Sequence, residues 1–460
     1  MTISEAQVLD VLRKVEDPDL HRDIVQLGFV KKVEIKGGQV SVVVELTTPA
    51  CPVKEQLREQ CAEQIRSLPG VTDVSVQMTA AVRASQARGE VLPGVKNVLA
   101  VASGKGGVGK STVAVNLAAA LAKSGASVGL MDADVYGPSV ARMVGGRGKP
   151  EGTPAGLLKP FEAHGMKFMS MGLLVEDNAP VMWRGPMASS LIQQFLTQVD
   201  WGELDYLVID LPPGTGDIQL TLTQMANLAG AVIVTTPQDV ASEVAERGLK
   251  MFGSVNVPVL GVIENMSYFV CGNCNTRHEI FRPGGGARPS DQWGVPLLGR
   301  IPIEPALAGL CDQGIPAVQS DAAAASAEAF MALAERIAAS LSTLALGGTG
   351  TGMPLEVESA GKKLLIRWDD GHQTEHGFQE LRFRCTCAGC LDEHTGERRI
   401  TRDQIPADIR PQKVEQTGRY AIQIHWSDGH SHGLYTFDRL RESCECKECR
   451  ARAGQPAGRV

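Results

Sequence analysis

The sequence predicts an α/β protein whose centre is a mostly parallel sheet covered by helices on both faces. A small α/β block precedes this centre, and a small β-rich block that gathers Cys and His follows it. Three observations carry the prediction. Apolar runs at 98–102, 127–131, 206–210, 231–235, 257–263 and 295–301 alternate with helical patterns, which is the texture of strands buried on both faces. The pattern G-x-x-x-x-G-K-[ST] lies between the first of these runs and a helical stretch. Beyond residue 355 a unit bearing Trp, His and Cys occurs twice.

The 460 residues correspond to about three domains of ~150 residues. The texture divides them into 1–85, 95–346 and 355–460. The charge is 45 − 52 = −7 and aromatic residues make up 5%. That balance gives no support to a basic coat for nucleic acid or acidic membranes, and few rings are available to stack single strands. No apolar run approaches the ~20 residues that span a bilayer, and the N-terminus MTISEAQVLDVLRKVEDPDL has no signal-peptide apolar stretch. The expectation is a cytoplasmic enzyme without a membrane or nucleic-acid partner. Of the 11 Cys, Cys385, Cys387, Cys390, Cys444, Cys446 and Cys449 crowd together near the end, and Cys271 and Cys274 form a pair. In a cytosolic chain such clusters read as metal ligands before disulfides.

In the first block, Ser4-Glu5-Ala6-Gln7 is a capping box that opens a helix with Val8, Leu9, Leu12 and Val15 inward. Val40, Val42, Val44 and Leu46 alternate as one face of a strand. Val53, Leu57, Cys61, Ile65 and Leu68 form a helical stripe after the turn at 48–52. Residues 83–94 read as a linker. The middle block closes with an Ala-rich helix over about 322–346, and 347–354 (GGTGTGMP) is a hinge.

The loop from Ser103 to Thr112 follows the strand at Val98–Ala102 and opens a helix. Gly104, Gly106, Gly107 and Gly109, with Val108 between, let backbone N–H groups converge on phosphate oxygens. The helix N-terminus adds a positive dipole. Lys110 neutralises the β- and γ-phosphates, Ser111 offers a hydroxyl to Mg²⁺, and Thr112 continues the helix. Asp132 and Asp134 (DADVYGPS) and Asp210 (DLPPGTGD, ending at Asp217) sit at carboxyl ends of strands, where ligands of such sheets bind. Asp210 is placed to hold Mg²⁺ through water. Asp132 and Asp217 are read equally as turn or cap residues. No Lys-x-Asp occurs in the chain, so the guanine-reading motif is missing and adenine, hence ATP, is favoured.

The extra Lys105 makes this loop K-G-G-x-G-K-[ST], which resembles the MinD/Mrp family of dimeric ATPases. The resemblance implies that Lys105 reaches the nucleotide of a facing subunit in a homodimer. It also implies that Asp134 lies near the attacking water, that Gly214 senses the γ-phosphate, and that Asn265 and Ile301–Glu304 frame the base. Cys271-Gly-Asn-Cys274 supplies two thiolates, half of a tetrahedral site; a two-fold axis would supply four, suited to a bridging [4Fe–4S] cluster or a zinc ion. ENMSYFVCGNC, DADVYGPS, DLPPGTGD, FRPGGGAR and GVPLLGRIPIEP together resemble the Mrp/ApbC iron–sulfur carrier ATPases. That resemblance implies a labile [4Fe–4S] cluster on Cys271 and Cys274, received from scaffold proteins and passed to apoproteins, with ATP hydrolysis gating the transfer.

Val15–Asp19, Ile24–Gly28, Leu46–Pro52 and Leu68–Val71 resemble the SufT-like domain of iron–sulfur assembly. Cys51 there lies before a helix start, where the dipole favours a thiolate; it is read either as a reactive thiolate or as a small turn residue. Cys61 is read as core. In the third block, Trp368-Asp-Asp-Gly-His372, Leu381-Arg382 and Cys385-x-Cys387-x-x-Cys390 recur as Trp426-Ser-Asp-Gly-His430, Leu440-Arg441 and Cys444-x-Cys446-x-x-Cys449. This block resembles the N-terminal domain of γ-butyrobetaine hydroxylases. Carried over, the zinc ligands are Cys385, Cys387, Cys390 and His430. The intact second triplet departs from that pattern. His372 is then read as serving Cys444, Cys446 and Cys449 reciprocally, or each triplet as taking its own repeat's His. His376 and His432 are read as surface or hydrogen-bonded.

Two other classes fit the sequence less well. A MinD/ParA-type positioning ATPase leaves Cys271 and Cys274 unexplained, and 451–460, with Gly and Pro, does not form the basic amphipathic helix that would grip a membrane. A nitrogenase-like reductase takes its cluster ligands from separated segments rather than from one C-x-x-C.

Overall fold

A computed structural model describes residues 3–18, 20, 22–85, 91–135, 137–174, 185–214, 217–238, 248–253, 255, 257–271, 274, 276–280, 295–345, 354–368, 372–385, 387, 390, 398–417, 421–431 and 433–444. The chain separates into two compact units, 1–346 and 347–460. Residues 347–353 of the expected hinge, FRPGGGAR, Cys446, Cys449, His432 and the segment 451–460 lie outside the described residues.

The first unit is built on an eight-stranded sheet. In spatial order its strands are Leu297–Arg300, Val259–Glu264, Gly230–Thr235, Val95–Ser103, Leu204–Asp210, Val128–Asp132, Met166–Ser170 and Phe161–Ala163. The first seven run parallel. Six of them are the predicted apolar runs, each extended or trimmed by a few residues. They are apolar throughout because helices cover both faces, so no side may remain polar. The last two strands in this order were not predicted. They form an antiparallel hairpin turned by His164 and Gly165, with φ of 52° and 76°. That pair of left-handed residues matches the strand twist in a two-residue turn, and His164 is an uncommon choice for it. The helix Lys110–Lys123 lies against the sheet with Val113–Leu121 buried, and the helix Ala324–Ala345 packs over it. Strand 95–103 sits centrally, so the loop it feeds opens at the middle of the sheet's carboxyl edge.

The N-terminal block belongs to the same unit. Ser4 and Gln7 form the expected reciprocal cap on the helix Glu5–Leu12. Strand Gln39–Leu46 pairs antiparallel with Val30–Lys36 and parallel with Asp73–Ala80. The parallel pair requires a crossover, and the helix Lys54–Arg66 supplies it. Val40, Val42, Val44 and Leu46 face Leu57, Cys61 and Ile65 in a closed core. Cys61 is fully buried, and burial pushes its thiol up to about 11, so it is an inert core residue. The turn after strand 39–46 rests on the large sheet: Tyr206 Oη lies 3.4 Å from Thr48 Oγ1, and Ser342 Oγ lies 3.5 Å from the Thr47 carbonyl. The linker is partly packed as well, with Leu92 buried and Ser85 N bonded to the Lys96 carbonyl.

The second unit contains the duplication. Strands Pro354–Ala360, Lys363–Trp368 and Gln373–Gly377 lead into the helix Phe378–Phe383. Strands Pro411–Thr417, Ala421–Trp426 and Leu434–Thr436 lead into the helix Phe437–Glu442. The two repeats close one core around Trp368 and Trp426.

Candidate functional site

The nucleotide loop has the geometry its glycines were expected to supply. Gly107 and Gly109 hold φ of 81° and 80°, a region that costs any residue with a Cβ. At Gly106 and Gly107 a methyl group would meet open space, so an approaching phosphate meets backbone there. At Gly109 a methyl group would stand 2.2 Å from Asn265 Nδ2. Asn265 itself bridges backbones: Nδ2 donates to the Val108 carbonyl at 2.8 Å, and Oδ1 accepts from Met266 N at 2.9 Å. It clamps the loop. In Ile301–Glu304, the Glu304 carboxylate accepts from Ser326 N at 2.9 Å, at the start of the closing helix.

Lys110 is buried at the base of the loop. Its Nζ lies 2.6 Å from Asp210 Oδ1, 3.5 Å from Asp134 Oδ2 and 3.3 Å from Ser111 Oγ. Two carboxylates and a hydroxyl converge here on one cation. Burial holds the Asp210 carboxyl above its ordinary value, against the lowering pull of Lys110. Burial, then the Asp210 charge, pushes Asp132 up to about 7. Asp210 Oδ2 and Asp134 Oδ1 are buried without a hydrogen-bond partner among the described residues. Orphaned carboxylate oxygens beside a phosphate loop and the Ser111 hydroxyl suit a hydrated Mg²⁺. Asp132 has a different job: it accepts from Ser170 Oγ at 2.7 Å, Asp134 N at 3.1 Å and Val140 N at 3.3 Å. It therefore fixes the turn that presents Asp134. Gly214, with φ of 95°, donates its N–H to the Ser103 carbonyl, which ties the DLPPG turn to the start of the phosphate loop. The Asp217 side chain and Thr215-Gly216 lie outside the described residues. Lys105 is partly buried, and its Nζ lies 3.3 Å from Gln238 Oε1; nothing in the sequence marked Gln238.

Downstream of Asn265 the chain runs directly to the paired cysteines. Ser267 N bonds the Ile301 carbonyl and Ile303 N bonds the Tyr268 carbonyl, so the segment is pinned to the sheet edge. A two-residue hairpin ladder, Phe269–Val270 with Arg277–His278, then carries Cys271 and Cys274. Arg277 covers the Tyr268 ring at 3.8 Å. Cys274 is exposed and Cys271 half-buried. Thr276, through its side chain and then its backbone, followed by Cys271, holds the Cys274 thiol below its ordinary value. Thr276 Oγ1 lies 3.2 Å from the sulfur. An accessible, easily ionised thiol beside a second one is what a soft metal centre needs.

In the second unit Cys385, Cys387, Cys390 and His430 converge, their ligand atoms all within 4.8 Å of one another. His430 Nε2 lies 3.2, 3.6 and 3.8 Å from the three sulfurs. Tetrahedral zinc with ordinary Zn–S and Zn–N bonds requires roughly 3.6 Å between such atoms, so the donor set fits the metal. Burial pushes the Cys385 thiol up to about 12, so this thiol is poorly suited to ionise without a cation. Gly433 is required by close approach, since a methyl group there would lie 2.5 Å from Cys385 Sγ. Around the ligands Arg382 donates to Cys390 Sγ at 3.3 Å and to Asp428 Oδ2 at 2.8 Å, and Asp428 Oδ1 accepts from His430 N at 3.0 Å. The repeat had marked Arg382 and Asp428 only as recurring letters; the structure makes them the support of the ligand His. His376 is buried, 3.1 Å from Thr374 Oγ1, and burial pushes it down to about 4. It is a neutral hydrogen-bonded histidine. His372 Nε2 lies 3.5 Å from Cys444 Sγ.

Among the described residues, no helix is long and apolar enough to cross a membrane.

Comparison with known proteins agrees with this anatomy. The model of the NUBPL iron-transfer P-loop NTPase family matches residues 94–338. An iron–sulfur cluster assembly model matches 5–78, and a γ-butyrobetaine-hydroxylase-like N-terminal model matches 355–441. A Synechocystis protein named iron-sulfur cluster carrier protein is 50% identical over 346 residues, 74% of this chain and 98% of that protein. The chloroplastic Fe-S cluster assembly factor HCF101 of Oryza sativa is 40% identical over 455 residues, 95% of this chain and 82% of that protein. A nucleotide-binding protein from Archaeoglobus fulgidus, solved in complex with ADP, is 40% identical and covers 49% of this chain and 89% of its own, with a TM-score of 0.44. By its central sheet, its phosphate loop and the match over more than half its length, the chain belongs to the NUBPL iron-transfer P-loop NTPase family.

Proposed function

We propose that this chain is an ATP-hydrolysing carrier of iron–sulfur clusters, working as a homodimer with [4Fe–4S] as its cargo. The observation that carries the reading is the unbroken path from the nucleotide loop to the paired thiols. Asn265 clamps the Val108 carbonyl, and Cys271 and Cys274 stand on the hairpin that begins four residues later. One chain presents two thiolates there, and a second copy across a two-fold axis completes four. The names of the bacterial and chloroplast relatives support the cargo assignment.

In this reading Gly104–Thr112 cradles the phosphates of ATP, and Lys110 moves from Asp210 to the β- and γ-oxygens as they arrive. Ser111 and Asp210 would hold Mg²⁺, which would supply charge neutralisation at the phosphates. Asp134, freed from Lys110, orients the attacking water. Lys105 reaches from its Gln238 partner to the nucleotide of the facing copy. The balance is mostly positioning and electrostatics, as phosphoryl transfer requires. The modules 1–85, 95–346 and 355–460 then serve cluster assembly, ATP-dependent carriage and a zinc-stabilised accessory role. Cluster delivery to apoproteins exchanges each carrier thiolate on iron for a client thiolate, with no change in oxidation state.

The test is transfer from the reconstituted dimer to an apo-[4Fe–4S] acceptor, with and without ATP. Transfer that responds to ATP and is lost in Cys271→Ala/Cys274→Ala is the expected result. Equal transfer by that double variant contradicts the reading.

A further inference from the structure

We infer that Ser267 and Glu264 are positioning residues for cluster delivery, whose side chains close a strained turn that sets the cysteine hairpin against the nucleotide loop. This rests on the carrier reading and names the residues through which the loop acts on the paired thiols. The turn spans Glu264–Ser267, at the end of the strand Val259–Glu264. Its third residue, Met266, holds φ of 56°. That region crowds a Cβ against the backbone, and a residue other than glycine stays there only where its surroundings dictate it. Here they do. Asn265 N bonds the Thr235 carbonyl at 2.8 Å on one side, and Ser267 N bonds the Ile301 carbonyl at 2.9 Å on the other. Asn265 Oδ1 accepts from Met266 N. Across the turn the Ser267 hydroxyl donates to Glu264 Oε1, and both residues are buried.

Two features count against this arrangement. One is the Met266 backbone. The other is Glu264 Oε2, buried without a hydrogen-bond partner among the described residues, while Arg300 Nε stands 3.5 Å from the other oxygen, Oε1. An unmade hydrogen bond in the interior is costly. The turn is therefore held by its ties, and the Ser267–Glu264 bond is a tie between side chains that can be cut without touching the backbone. On one side the turn meets the nucleotide loop. Asn265 Nδ2 holds the Val108 carbonyl, and a methyl group placed on Gly109 would lie 3.8 Å from Met266 Cε. On the other side it meets the cargo. Ser267 leads to Tyr268, whose carbonyl accepts from Ile303 N at 2.6 Å, and then to Phe269–Val270, the first strand of the hairpin with Cys271 and Cys274. A shift of the loop as phosphates fill it reaches Asn265 and Met266 first, and the closed turn passes it on to the hairpin as one rigid piece. Without the Ser267 hydroxyl, Met266 relaxes and the turn absorbs the shift.

The test compares full-length, cluster-loaded wild type, Ser267→Ala and Ser267→Thr in transfer to an apo-[4Fe–4S] acceptor, with and without ATP. Ser267→Ala is expected to keep wild-type iron per dimer and wild-type ATP hydrolysis while its transfer becomes the same with and without ATP. Ser267→Thr, which keeps the hydroxyl, restores the response to ATP. Met266→Gly frees the same turn, since glycine spreads over many conformations, and loses the response as well. A wild-type response to ATP in Ser267→Ala overturns the inference and leaves the carrier reading standing. If Ser267→Ala instead loses iron or hydrolysis, Met266→Gly decides: a lost response there supports the inference, and a kept one overturns it, because the serine would then serve folding alone. Wild type that transfers equally with and without ATP also overturns it. Transfer by Cys271→Ala/Cys274→Ala is the separate failure of the carrier reading, and this inference falls with it.

Discussion

Lys110→Ala loses nucleotide hydrolysis by on the order of 10²–10³-fold, the scale for removing one preorganised charge from a transition state. The same change destabilises the nucleotide-free protein. Lys110 is the cation against which buried Asp210 and Asp134 are set. Removing one partner of a buried pair costs about 3–5 kcal/mol, because the other is left charged and dry. The pH dependence follows from the carboxylates. Burial holds Asp210 above its ordinary value, and Asp132 is pushed up to about 7 from 3.8, with Lys110 lowering both. Between the unfolded and folded values the native state binds more protons than the unfolded chain, so stability falls as pH rises through that window. Without Lys110 the folded values rise further and the fall steepens. Thermal unfolding of nucleotide-free protein from pH 5 to 8 therefore shows a larger loss of Tm for Lys110→Ala than for wild type. Parallel curves would show that Lys110 does not compensate these carboxylates.

Cys385→Ala unfolds the second unit. Its core is small, centred on two tryptophans and on Cys385 and Cys390 themselves. Structural zinc contributes about 10–16 kcal/mol of apparent folding free energy in small metal domains, as much as the whole stability of many domains. The expected outcome is loss of amide hydrogen-exchange protection in the strands Lys363–Trp368 and Ala421–Trp426, while the strand Val95–Ser103 keeps its protection. The same loss follows removal of metal by a strong chelator. Unchanged protection in both experiments would mean that apolar packing alone holds the repeats together.

The parts of this architecture that could be read from the sequence are those set by local rules. Six central strands were legible because burial on both faces forces continuous apolar runs. The cap at Ser4 was legible because two side chains three residues apart satisfy each other's backbone. The hairpin Phe161–Ser170 was not, because its turn uses His164 where Asn or Gly would have signalled it. Nor could the seating of Thr47 and Thr48 on Tyr206 and Ser342 be foreseen, since those contacts join positions 158 and 295 residues apart.

The site divides the same way. Spacing marks Gly104–Thr112 and both metal-type cysteine groups, because phosphates and metals impose fixed spacing. The capture of Lys110 by Asp210 and Asp134 depends on three strand ends meeting. So does the clamp that Asn265 makes, with its two amide atoms bonded to the Val108 and Met266 backbones. In the second unit the repeat named the ligands but left their pairing open. For the first site, the crossing of the repeats assigns His430 to the first triplet.

The central claim is that Cys271 and Cys274 of two copies hold one cluster between them. Anaerobic reconstitution with iron and sulfide, read as iron per dimer and as absorbance, tests it most directly in wild type and in Cys271→Ala/Cys274→Ala. The account predicts about four irons per dimer in wild type, the content of one cluster shared by four thiolates, and their loss in the double variant. Equal iron in the two proteins would contradict it and move the cluster away from this hairpin.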